Sequence, residues 1–185
     1  EIYTLSLHDA LPIYNTEGLW APEGGRSMAP RQWMRKMKVG KTGFQEAYHA
    51  VREYRERYPD KAVTFFSQQY PDYGWAILMA GGSLPNVPLR ANAGNVYHDE
   101  LLSTLTQMKP MEADGAVALG SEQDGYLIYA QADTVSLDVS PGTYALFSIN
   151  ASDGTVTLLE KKLKADGPFR RNGLHNGQVL WLKRR

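Results

Sequence analysis

Apolar residues recur at three- and four-residue intervals through the first half of the chain and at two-residue intervals through the second. The clearest helical pattern joins Phe44, Ala47, Tyr48, Val51, Tyr54, Arg55 and Tyr58, with Glu46, Arg52, Glu53 and Glu56 filling the other side. That is an amphipathic helix, ended by Pro59. Residues 62–67 (AVTFFS) form a short apolar run rich in β-formers after the turn residues Pro59 and Asp60, and read as a buried strand. Pro71 and Asp72 open a second helix over 73–80. Trp75, Ile77, Leu78 and Met79 leave it no polar face, so it must be covered all round. Gly81 and Gly82 end it, SLPNVP continues as an extended loop, and 97–108 forms a third helix with Tyr97, Leu101, Leu102 and Leu105 inward. Upstream, 14–29 is rich in Gly, Pro and Glu and reads as loop. Pro30 suits the first turn of a helix that continues over 32–39, with Trp33, Met34 and Met37 on one face and Gly40 as its stop. Helix, strand, buried helix and loop in succession are what one βα unit of an α/β domain looks like.

The pattern changes near Pro110. Beyond Gly115 come AVALG, YLIYAQ, TVSLDV, TYALFSI, TVTLLEKKL and QVLWLK, and in 134–139 Val135, Leu137 and Val139 share one face. Asp124-Gly125, Pro141-Gly142, Asp153-Gly154 and Asn176-Gly177 punctuate these runs as turns. About six strands in about 70 residues is the spacing of a small antiparallel β-sandwich. The expected architecture is therefore α/β then all-β, with the boundary at 109–114. Tyr126, Tyr129, Tyr144, Phe147 and Trp181 are spread over several strands, which predicts mostly core roles.

Charge and composition narrow the function classes only a little. Lys plus Arg number 20, as do Asp plus Glu, so nothing global argues for nucleic acid or an acidic membrane surface. The chain has no Cys, which excludes disulfides and thiolate metal sites. No apolar run approaches the roughly 20 residues of a membrane span. The expected partners are thus neither nucleic acid nor membrane. The first thirteen residues, EIYTLSLHDALPI, resemble the conceptual translation of a sequencing adapter and are set aside from fold reasoning. His8 and Asp9 then carry no functional weight, and the natural start lies upstream of Tyr14. The alternative is an N-terminal strand alternating through Ile2, Tyr3, Leu5 and Leu7.

Few chemical motifs survive testing. Gly40-Lys41-Thr42 lacks the Gly five residues before Gly40 that a phosphate loop needs, since Arg35 stands there. Arg26, Arg31, Arg35, Lys36, Lys38 and Lys41 form a basic stretch that reads as a solvated helix face in a chain of zero net charge. His98-Asp99-Glu100 suits a helix start better than a metal, because adjacent helical residues point in different directions. His49 and His175 have no recognisable partners, and no GxSxG elbow occurs. No metal or cofactor is expected.

Gln68, Gln69 and Tyr70 are more informative, lying between the buried strand and the buried helix. Ligand sites of α/β folds form at the C-terminal ends of strands. Amides that bond hydroxyls, followed by the rings of Tyr70, Tyr73 and Trp75, suit a sugar; a loop whose amides cap the next helix is the other reading. Asn86 is a weaker candidate of the same kind. Glu17 and Glu23 flank Trp20 in the loop-rich segment. Two loop acids six residues apart do not establish a hydrolytic pair, so Trp20 and Glu23 stand as substrate-binding candidates and the catalytic residues stay unassigned.

Two segments carry a family resemblance: KAVTFFSQQYPDYGWAILMAGGSLPNVP, and DGYLIYAQADTVSLDVSPGTYALFSINASDGTVTLLEKKL followed by GQVLWLKRR. They resemble the C-terminal end of bacterial glycoside hydrolase-like proteins, best known from the apiosidase-like group. In these a (β/α)8 barrel precedes a small β-sandwich of the type called collagen-binding. The resemblance implies that 14–109 is the C-terminal part of a (β/α)8 barrel and 110–185 an accessory β-sandwich. It also implies a carbohydrate substrate and an extracellular or periplasmic location. The sequence departs from the family at Asn150-Ala151, where Asp-Pro is usual, and at Gln68 and Gln69, where a related barrel would carry a catalytic Glu. Glutamine cannot act as general acid or nucleophile in this chemistry. The expectation is a truncated, inactive piece of a glycan-acting protein, with at least one catalytic carboxylate upstream of residue 14. Two alternatives stay open: a non-catalytic carbohydrate- or protein-binding or buttressing β-sandwich module, and a complete small α+β domain of unrelated function.

Overall fold

The computed structural model describes residues 14–15, 43–63, 65–66, 73–83, 85–89 and 97–185. The expected helix at 30–39, the Gly40-Lys41-Thr42 and basic segments, and the first thirteen residues lie outside them. The chain divides into two compact units, 1–86 and 87–185. The described part is β-rich and mostly antiparallel, with few helices.

In the first unit a two-residue strand β1 (Tyr14–Asn15) pairs in parallel with β2 (Phe65–Phe66), Tyr14 facing Phe65 and Asn15 facing Phe66. Tyr14 and Asn15 thus begin as strand where the sequence suggested loop. Helix α1 (Phe44–Arg57) lies between β1 and β2 in the chain. Parallel pairing requires such a crossover, because a tight turn can only join antiparallel strands. Glu46 closes the helix start by accepting the Gly43 N–H at 2.8 Å, and Arg52 pairs with Glu56 at 2.9 Å one turn apart. The buried stripe Ala47, Ala50, Val51 and Tyr54 follows the expected period. Helix α2 (Gly74–Met79) is buried at every position but Leu78, as a helix without a polar face must be. Val51 and Tyr54 of α1, Val63, and Ile77 and Ala80 from α2 and its end form one apolar cluster. A reciprocal pair of hydrogen bonds secures it: the Ser83 N–H donates to the Val63 carbonyl at 2.6 Å, and the Val63 N–H donates to the Ser83 hydroxyl at 3.2 Å.

The second unit begins with α3 (His98–Leu105). It ends three residues before the sequence predicts. Ser103, Thr104 and Thr106 hydroxyls donate back to the carbonyls of Glu100, Leu101 and Ser103, which weakens a helix from within. Leu102, expected inward, is 38% exposed, whereas His98 is only 2% exposed. A helix of two turns offers one narrow buried stripe, and His98 with Leu101 occupies it.

Eight strands follow: β3 (Lys109–Met111), β4 (Ala116–Ser121), β5 (Gly125–Ala130), β6 (Thr134–Leu137), β7 (Gly142–Ile149), β8 (Val156–Ala165), β9 (Phe169–Asn172) and β10 (Val179–Arg184). They form a six-stranded antiparallel sheet in the order β3-β4-β5-β10-β7-β8 and a two-stranded sheet β6-β9. All six expected strands are present; β3 and β9 are additional. Pro110 is accommodated because β3 is an edge strand, where a missing N–H costs no ladder bond. Pro141-Gly142 is not a positive-φ turn; Gly142 instead opens β7. Gly125 does turn with positive φ, and its α-carbon lies so close to the Leu182 carbonyl that no side chain fits.

Both faces of the central strands β4, β5, β10 and β7 are buried. On one, Ala118, Ile128, Leu146 and Leu180 share a core with Val135 and Leu137 of β6 and Phe169 of β9. On the other, Leu127, Phe147, Val179 and Trp181 are buried, and the Tyr97 ring meets Phe147 at 4.7 Å between centroids. A Lys183–Glu100 ion pair fastens α3 to that face. The outer edge, β8, is lined by exposed Lys161, Lys162 and Lys164, charges that oppose pairing with another strand.

Candidate functional site

Gln68, Gln69, Tyr70, Trp20 and Glu23 lie outside the described residues. Asn86 is described and exposed. Trp75 is 6% exposed within α2, so its ring belongs to the core and cannot serve as the sugar platform suggested by the sequence.

Among the described residues, a concave polar site lies at one end of the large sheet in the second unit, a cleft of about 660 Å³. The β7–β8 turn builds one wall. Asn150 Oδ1 accepts the Ser152 N–H at 2.9 Å and the Ser152 hydroxyl at 2.7 Å, and its amide donates to Asp153 Oδ2 at 3.2 Å. Asp153 Oδ1 in turn accepts the Thr155 N–H at 2.8 Å. The Thr155 backbone and side-chain hydrogen bonds hold the Asp153 carboxyl below the usual aspartate range, so it is ionised at neutral pH. Gly154 completes the turn at φ +78°, and a β-carbon there would collide with the Pro88 carbonyl oxygen. The second wall is the β9–β10 connection. Gly177 and Gln178 are tied to Ala130 by an N–H to carbonyl bond of 2.8 Å and its reciprocal of 2.9 Å, which leaves His175 and Asn176 exposed at the mouth.

Sheet order explains why these two turns meet. Strand β7 lies between β8 and β10, and Ser148 is cross-strand neighbour to both Thr157 and Leu180. Ser148 and Thr157 therefore share the face of core residue Leu180, at the end of the sheet where apolar residues give way to hydroxyls. Leu159, 46% exposed, supplies an apolar patch on the same side. No Lys or Arg lines the cleft, and Asp153 is its one carboxylate. Glycoside hydrolysis needs two carboxyl groups flanking the scissile bond, a pair that the lining of this cleft does not contain.

A second cleft, of about 430 Å³, adjoins β3 and includes Glu122 and Asp138. Its hydroxyls are committed internally. The Ser140 N–H donates to the Tyr126 hydroxyl at 2.8 Å, and the Tyr144 hydroxyl donates to the Ser140 carbonyl at 2.5 Å. Burial, above all, raises the Tyr144 phenol beyond its ordinary value. Among the described residues, no group of three or more His, Asp or Glu is placed to hold a metal ion, and no helix is long and apolar enough to cross a membrane.

The family model of a domain of unknown function, DUF6298, matches residues 11–108, more than half of the chain. The chain belongs to this family. The DUF6298 match starts within the segment read as adapter and ends immediately before β3. In three dimensions this DUF6298 protein is similar to a solved glycoside hydrolase, with a TM-score of 0.50 and 12% identity over 80% of this chain and 49% of that one. The chain thus spans about half the length of that structure, and the likeness is one of fold. No curated protein matches the sequence.

Proposed function

We propose that this chain is the C-terminal part of a glycoside hydrolase-like protein, the end of a (β/α)8 barrel followed by an accessory β-sandwich, and that the whole protein acts on a polysaccharide or glycan. The observation that carries the reading is the fold likeness to a glycoside hydrolase over 80% of the chain. It is supported by the parallel β1–β2 pair with α1 between its strands, and by the two antiparallel sheets that follow. In this reading Gln68, Gln69 and Tyr70, which follow β2 in sequence after Ser67, contribute to sugar binding with Asn86, Trp20 and Glu23. On the same reading at least one catalytic carboxylate lies in preceding sequence, because Gln68 and Gln69 cannot exchange protons as the acid–base step demands. Residues 14–185 alone should be inactive, since two or three strands cannot close a barrel.

The test is reducing-sugar release from a panel of polysaccharides by the longer protein recovered from the source DNA, beside residues 14–185. The proposal expects release by the longer protein and none by 14–185. A folded longer protein that cleaves no glycan would overturn it.

A further inference from the structure

We infer that the cleft between the β7–β8 turn and residues 175–178 is a non-catalytic binding site for a neutral oligosaccharide. The inference rests on the glycan-directed reading above and assigns it a second, separate point of contact. Its volume of about 660 Å³ falls within the range of roughly 300–1,000 Å³ typical of small-molecule sites. The ligand's chemistry follows from the lining. No Lys or Arg lines the cleft to neutralise a phosphate, sulfate or uronate, His175 at the mouth is its one potentially cationic side chain, and ionised Asp153 repels each of these anions.

What remains is a set of groups that both donate and accept. The hydroxyls of Ser148 and Thr157 and the amide of Asn176 line one space, with Gln178 beside them, its Oε1 accepting the His175 N–H at 3.4 Å. Vicinal sugar hydroxyls have the same dual character and answer such a set directly. Leu159 offers an apolar surface to the C–H face of a pyranose ring, as the mixed character of a sugar requires. The framework is preorganised as well. Asn150, Ser152 and Asp153 spend their hydrogen bonds holding the turn before Thr157, and the Ala130 bonds hold Gly177 and Gln178 next to Asn176, so little ordering cost remains for binding.

The test is amide shift mapping by NMR on the full chain. The probes are cellohexaose, xylohexaose and mannohexaose, with polygalacturonate as an anionic control. The inference predicts that at least one neutral probe moves amides in 148–159 and 175–178 and that polygalacturonate does not. Thr157→Val and Asn176→Ala should each weaken binding by roughly three- to tenfold, the worth of one hydrogen bond. Both positions are exposed, and each variant's own amide spectrum reports whether it folds. Shifts confined to residues 1–86 would overturn the cleft and leave the glycan-directed reading standing. Shifts at the cleft that neither variant weakens, or binding of polygalacturonate there, would also overturn it. If no probe moves any amide the cleft assignment fails, while sugar release by the longer protein decides the parent activity separately.

Discussion

The ring of Phe147 stacks on the indole of Trp181, with centroids 4.9 Å apart and planes inclined by 27°, from directly paired positions on neighbouring strands β7 and β10. Trp181 is fully buried, and its indole N–H has no hydrogen-bond partner among the described residues. Truncation and conservative replacement should therefore differ sharply. Trp181→Ala should cost about 3–5 kcal/mol, the range for emptying a large aromatic site. Trp181→Phe should cost clearly less, because it keeps a ring against Phe147 and removes an unpaired donor. Denaturant melts of the two variants decide the matter; equal losses would mean that the stack contributes nothing beyond buried area.

The β7–β8 turn depends on Gly154. Its positive φ and the adjacent Pro88 carbonyl each exclude a side chain, so Gly154→Ala should destabilise by about 1–3 kcal/mol. Gly167→Ala is the control: a β-carbon there meets nothing within 4 Å, and the change should stay within about 0.5 kcal/mol. Thermal melts showing the two variants alike would contradict the turn geometry.

His98 is the buried polar residue of α3. Neither ring nitrogen has a hydrogen-bond partner among the described residues, and the Asp99 carboxylate lies 3.9 Å from Nδ1. Replacing an unsatisfied polar group by an apolar one of similar size removes a desolvation cost. His98→Leu is expected to leave stability unchanged or raise it by up to about 2 kcal/mol. A loss of that size in a chemical melt would show that the imidazole makes a stabilising interaction.

The Asp153 carboxylate is favoured by folding, since the Thr155 hydrogen bonds lower its pKa below the ordinary aspartate range. Its contribution is therefore present above the unfolded-state pKa and is lost as pH falls through the lower folded value. NMR titration should find the Asp153 midpoint below that of an unstructured aspartate, and Asp153→Asn should remove this part of the acid dependence. An ordinary midpoint would sink the assignment. The residue is fully exposed, so the effect belongs to the turn rather than to global stability.

How far the sequence discloses this structure depends on how local each signal is. Helix α1 is legible because the period from Ala47 to Tyr54, Glu46 and Pro59 all act within a few residues of one another. The six strands are legible because each carries its own apolar run. Strand β9 is not: Phe169 is its one buried residue, and Arg170, Arg171 and Asn172 give no alternation. Strand β3 hides behind Pro110, which signals a boundary until the edge position is known. Leu102 and His98 exchange expected roles because apolarity alone cannot fix the rotation of a two-turn helix. The polar cleft was invisible for a different reason. Asn150 and His175 are ordinary turn residues until β7 comes to lie between β8 and β10, and that pairing is set by contacts far apart in sequence.

The most direct test of the account is to recover and sequence the genomic DNA upstream of codon 14. The account predicts a reading frame that continues for some 250 residues of alternating strand and helix signals, the length of a barrel, with two carboxylates placed at strand ends. A genomic frame that instead encodes EIYTLSLHDALPI behind its own start codon would contradict it. Gln68, Gln69 and the cleft of the second unit would then have to be judged as sites of a small, complete protein.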